Sequence, residues 1–94
     1  MFRRRKGIKL PYKKQGLIFF TLLNYDNLSR DLKGRIDELC KEIGEEDSKA
    51  LFEVLTTDSD IKTVEAIARE NYTSEKKLYS LRAEFYKRFE RDLF

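Results

Sequence analysis

An all-α domain of four to five short helices in a compact bundle is predicted by three observations. Apolar residues recur at three- and four-residue steps through most of the chain, the spacing of one helix face. Ser, Thr, Asp and Asn gather where those stretches break, as helix caps require. No segment sustains the two-residue alternation of a half-buried strand. A chain of 94 residues makes one domain with a modest core.

Residues 1–11 read as a flexible basic arm, because Arg3, Arg4, Arg5 and Lys6 repel one another and Pro11 disfavours helix at Leu10. Residues 12–94 then form a single helical domain. From about Tyr12 to Asn24 the run Gly16-Leu17-Ile18-Phe19-Phe20-Thr21-Leu22-Leu23 is apolar nearly all round, so this helix is buried either in the bundle or in a partner. Tyr25 to Ser29 forms a turn. Ser29 or Asn27 caps a second helix running to about Ile43, with Leu32, Ile36, Leu39, Cys40 and Ile43 on its inner face. Gly44 stops it.

The cluster Glu45-Glu46-Asp47-Ser48 supplies acids and a cap to the start of a third helix, where the helix dipole favours negative charge. That helix buries Ala50, Leu51, Val54 and Leu55, with Phe52 flanking them. After the polar loop Thr56 to Asp60, Thr63 caps a fourth helix carrying Val64, Ile67 and Ala68 on one face. Thr73 or Ser74 caps a long fifth helix, to about Leu93, with Leu78, Leu81, Phe85 and Phe89 on one face. The doublet Phe85-Tyr86 gives it a second apolar face, to be covered within the bundle or by a dimer or docking partner.

Composition narrows the chemistry. The chain has no His and no Trp, and Cys40 stands alone, so neither an internal disulfide nor a protein metal site is expected. Without His the commonest general base is missing; no enzymatic activity and no cofactor are expected. The apolar run Leu17 to Leu23 has no small-residue cleavage site behind it, and a membrane span needs about 20 apolar residues. The expectation is a soluble, cytoplasmic protein with no membrane partner.

The net charge of +3 is unevenly spread. Residues 1–14 carry seven basic groups and no acid, residues 25–72 seven basic and thirteen acidic groups, and residues 73–94 six basic and four acidic. Basic ends around an acidic middle suit a protein that meets a polyanion with both ends.

Small Ala68, then Leu78 and Leu81, has the spacing of a DNA-binding helix-turn-helix. The Ala lets two helices cross closely, and the two Leu pin the second so that its other face enters a major groove. Val64 to Phe89 resembles the C-terminal helix-turn-helix of the sigma-70 family, the part that reads a promoter element. Thr63-Val64-Glu65 stands where that family has its capping Thr followed by apolar and acidic residues. Ile67-Ala68 takes the place of its Ile-Ala pair, and Ser74 that of the Ser opening its recognition helix. Leu78 and Leu81 fall on its buried aliphatics, and Lys87-Arg88-Phe89 on its basic-aliphatic end. Upstream, Ala50 to Leu55 resembles the preceding helix, and the likeness covers roughly residues 48–90. The chain is also similar in size to small sigma-like regulators of phages and conjugative elements. Three positions depart from the pattern: Asn71 and Thr73 replace apolar residues, and Tyr72 replaces Gly. A positive φ at that turn costs Tyr of order 1 kcal/mol, so either the turn has another geometry or Asn71 takes the left-handed position.

The resemblance implies that the helix-turn-helix at about residues 63–90 reads DNA with the exposed start of its second helix. Lys76 and Lys77 there reach phosphates or guanine edges, Glu75 accepts from a cytosine amine, and Ser74 and Ser80 lie alongside. Tyr79 donates to phosphate or packs on a thymine methyl, and Arg82 extends the basic surface. Thr63 and Thr73 stand at helix N-termini that suit phosphate, and Arg3, Arg4 and Arg5 suit a minor groove. Arg88 reads as structural, paired with Glu84 one turn back. The expected function is sequence-specific binding of double-stranded DNA and transcription regulation in a bacterium or its mobile elements, with RNA polymerase or a homodimer partner as further contacts. The alternative is a helical protein–protein adaptor without DNA contact, whose acidic patch of Asp37, Glu38, Glu42, Glu45, Glu46 and Asp47 faces a basic partner.

Overall fold

The computed structural model describes residues 7–93, and among these it is all-α with no strand. Five helices follow one another: α1 (Tyr12–Leu23), α2 (Arg30–Gly44), α3 (Ser48–Thr56), α4 (Val64–Glu70) and α5 (Glu75–Leu93). Single 3-10 turns at Tyr25–Asn27 and Glu45–Asp47 join α1 to α2 and α2 to α3. No helix among the described residues is long and apolar enough to cross a membrane.

Local chemistry sets the boundaries. Of the two candidate caps for α2, Ser29 does the work: its Oγ accepts from the Leu32 N–H at 3.2 Å. Thr63 caps α4 by accepting from the Ala66 N–H at 3.1 Å. Ser74 rather than Thr73 caps α5, accepting from the Lys77 N–H at 3.0 Å. Helix α2 ends at Gly44 as expected, but not through a left-handed glycine. Gly44 keeps a helical φ of −84°, and the next residue, Glu45, takes the positive φ of 49°. Gly44 is buried, and a Cβ there would meet Leu51 Cδ2 and Ser48 Cβ at 3.4 Å, an ordinary van der Waals contact.

Two apolar clusters form the core. The larger gathers Ile18 and Leu22 of α1, Ile36, Leu39 and Cys40 of α2, Leu51 and Leu55 of α3, and Phe85, Tyr86 and Phe89 of α5. The smaller holds Ala50 and Val54 of α3, Val64, Ile67 and Ala68 of α4, and Leu78 of α5. Leu81 packs against both. Helix α5 contacts every other helix, which explains why Tyr86, off the main stripe, is buried as deeply as Phe85. Its second apolar face is covered inside the fold.

Helix α1 is only half covered. Ile18, Phe19 and Leu22 are buried, whereas Leu17 and Phe20 on its other side are 56% and 58% exposed. Ahead of it the chain is anchored: Ile8 is buried in the larger cluster, and the Gln15 amide donates to the Ile8 and Leu10 carbonyls at 2.9 Å each. Ile8 and Leu10 therefore pack on the bundle, where the sequence placed them in a flexible arm. Arg3, Arg4 and Arg5 lie outside the described residues. Beyond α1, the Tyr25 ring meets Phe52 edge-on at 4.9 Å, and its hydroxyl donates to Asp37 Oδ1 at 2.8 Å.

Candidate nucleic-acid interface

The segment from Thr63 to Arg82 is built around the link between α4 and α5. Helix α4 ends in a paired set of backbone hydrogen bonds: the Thr73 N–H donates to the Ala68 carbonyl at 3.0 Å, and the Tyr72 N–H to the Arg69 carbonyl at 3.4 Å. These are the two bonds of a Schellman cap, which requires a left-handed residue just past the helix. That residue is Tyr72, with φ 56°, whereas Asn71 stays at φ −106°. Both expected alternatives, another turn geometry or a left-handed Asn71, are thus corrected: the turn keeps a left-handed residue, and it is Tyr72 itself. Asn71 instead turns its side chain back, donating through Nδ2 to the Ile67 carbonyl at 2.8 Å. Left-handed backbone costs Tyr about 1 kcal/mol relative to Gly.

With the turn so set, α5 buries Leu78 against Ala68, Ile67 and Val64 and turns its opposite side outward. Lys76 and Ser80, one helical turn apart, are both exposed. Among the described residues Lys76 has no ion-pair partner. Glu75, in the first turn, is half-buried. Tyr79 stands at the side of this stripe with the Arg82 guanidinium over its ring, 4.9 Å from the centroid. Thr63 and Ser74 keep their hydroxyls at the starts of α4 and α5, where each already serves a backbone N–H. Thr73 is half-buried, and its N–H is held by the Schellman cap.

Lys77 has a different role from its neighbour. Its ammonium lies 2.6 Å from Asp47 Oδ2 and 3.6 Å from Glu46 Oε1, tying the start of α5 to the turn before α3. The Asp47 side chain is only 11% exposed, so this pair is partly shielded from solvent. The hydrogen bond to Asp47 raises the Lys77 pKa above the ordinary lysine value. Asp47 thereby serves as an ion-pair partner and makes no side-chain cap bond to α3.

Other acids of the middle segment are matched in the same way. Glu42 accepts from Arg88 at 2.7 Å, so Arg88 is structural but reaches across to α2 and not to Glu84. Lys62 is held by Glu53 at 2.8 Å and Glu70 at 2.7 Å, and Asp37 accepts from Tyr25. Of the six residues of the acidic patch, four are thus engaged within the fold, leaving Glu38 and Glu45 as its exposed remainder.

The arrangement brings a cation, hydroxyls and an aromatic–guanidinium pair together at one exposed helix start. The Lys77–Asp47 pair was missed in the sequence because its partners lie thirty positions apart. Only the acid run before α3 and the cation pair opening α5 hinted at it. No protein-family model, curated protein or solved structure matches the chain.

Proposed function

We propose that the chain binds double-stranded DNA sequence-specifically and regulates transcription in a bacterium or its mobile elements, with α4 and α5 acting as a helix-turn-helix. The observation that carries this reading is the combination at the α4–α5 link. A left-handed residue falls where the sigma-70 family has Gly, and Ala68 packs with Leu78 while Lys76 and Ser80 stay outside. A groove-entering helix needs that division of faces. Lys76 meets a phosphate or a guanine edge, Ser80 and Glu75 face bases, and Tyr79 with Arg82 lies along the backbone. Lys77 joins them only by exchanging Asp47 for a phosphate.

The test is fluorescence anisotropy of labelled random duplex DNA at two salt concentrations, comparing wild type with Lys76→Ala. Salt-sensitive binding is expected, and losing one phosphate contact lowers the slope of log K against log salt by about one. Lys76 is the better probe of the two lysines, since removing Lys77 also strips Asp47 of its partner. Absence of binding at low salt sinks the DNA reading.

The second reading, a helical protein–protein adaptor, is favoured by the more exposed side of α1. Leu17 and Phe20 form an exposed apolar pair on one helix, the kind of feature that docks on RNA polymerase or on a second copy. It leads if no DNA is bound.

A further inference from the structure

Tyr72 occupies the turn that aims α5, and nothing within the fold accounts for a tyrosine there. Its backbone is left-handed, a conformation that Gly adopts freely and Asn tolerates. Its side chain is 98% exposed, so no packing among the described residues offsets that preference. Glu45 shares the positive φ but carries a side chain that water favours. Among the described residues Tyr72 alone combines an unfavourable backbone with an aromatic ring held out in solvent. Strained backbone with no structural return concentrates at contact sites. The position is apt: Tyr72 stands two residues before the Ser74 cap, at the same end of α5 as the exposed Lys76.

We propose that Tyr72 is a DNA contact, its phenol O–H donating to a backbone phosphate at the wall of the groove that receives α5. The inference rests on the DNA reading above. A phenol is a neutral donor on an apolar ring, so the ring lies along the sugar while the hydroxyl reaches the phosphate oxygen. Because Tyr72 carries no charge, the contact adds affinity without releasing a counterion, and it acts alike on every sequence.

The experiment measures duplex affinity at two salt concentrations and thermal midpoints for wild type, Tyr72→Gly, Tyr72→Asn, Tyr72→Phe and Lys76→Ala. Tyr72→Gly is expected to raise the midpoint by about 4–8 °C, the shift that relief of its backbone strain produces in a domain of this size. The same variant is expected to bind DNA about tenfold more weakly, as loss of one hydrogen bond to a charged group implies. The salt slope stays at the wild-type value, unlike that of Lys76→Ala. Tyr72→Asn, which keeps the left-handed turn without Gly's freedom, loses the same affinity. Tyr72→Phe keeps the wild-type midpoint and loses the same tenfold in affinity; wild-type affinity in this variant overturns the phosphate contact. Wild-type affinity in Tyr72→Gly and Tyr72→Asn, with binding weakened in Lys76→Ala, overturns the inference and leaves the DNA reading standing. A lowered midpoint in Tyr72→Gly also overturns it, by showing that the ring supports the fold. No binding by the wild type at low salt overturns both.

Discussion

Gln15 shows how much one side chain can hold. It is the one fully buried polar side chain among the described residues, and its amide joins the first turn of α1 to the carbonyls of Ile8 and Leu10. A leucine there would fill similar space and donate nothing. Gln15→Leu is therefore expected to lose about 1–3 kcal/mol for each carbonyl that water cannot then reach, measured as a lowered urea midpoint. The loosened segment would carry Ile8 out of the larger cluster. Nothing in the sequence separates this residue from a surface glutamine, because Lys13 and Lys14 beside it are polar too. Tyr72 was more legible: its departure from the sigma-70 pattern marked the turn, and only its φ shows which residue bears the strain.

Among the elements, the stripes and caps were the readable part. The inner faces of α2, α3 and α4 and the Ser29 and Thr63 caps follow from spacing and side-chain chemistry, which act within one helical turn. What spacing hides is the neighbour. Gly44 reads as a helix stop, yet it stays helical and packs beside Leu51 and Ser48, and the turn itself falls on Glu45. Glycine thus sits one residue ahead of the position whose backbone needs it. Glu45→Gly is expected to stabilise the protein by about 1 kcal/mol by removing the left-handed penalty, with the gain read from thermal unfolding. Likewise the helical wheel of α5 does not foretell that Tyr86 is buried, because that depends on how many helices surround it.

Over the whole molecule, the charge blocks visible in the sequence are matched to one another. Lys77 meets Asp47, Arg88 meets Glu42, Lys14 meets Glu90, and the acidic middle is partly neutralised by the basic last helix. The ion pairs around the candidate residues were not legible in the sequence, since these partners come together only on folding. Two neutral acids, Cys40 and Tyr25, titrate with the fold as well. Burial, then Asp37, pushes the Cys40 thiol from 9.0 to about 12. Burial, then the hydrogen bond to Asp37, lifts the Tyr25 hydroxyl from 10.0 to about 12. Above pH 9 the unfolded chain releases these protons while the folded one keeps them. Stability is thus expected to be complete below pH 9 and to fall as pH rises toward 12. Urea midpoints across that range check this, and Cys40→Ala should delay the onset toward the tyrosine's own range. Finally, Leu81 touches both apolar clusters and α5 runs through both. The helix that carries Lys76 and Ser80 is thus ordered by the same event that folds the chain. A partner docking on that stripe meets a rod with little backbone entropy left to lose, so each contact made there counts almost in full toward binding.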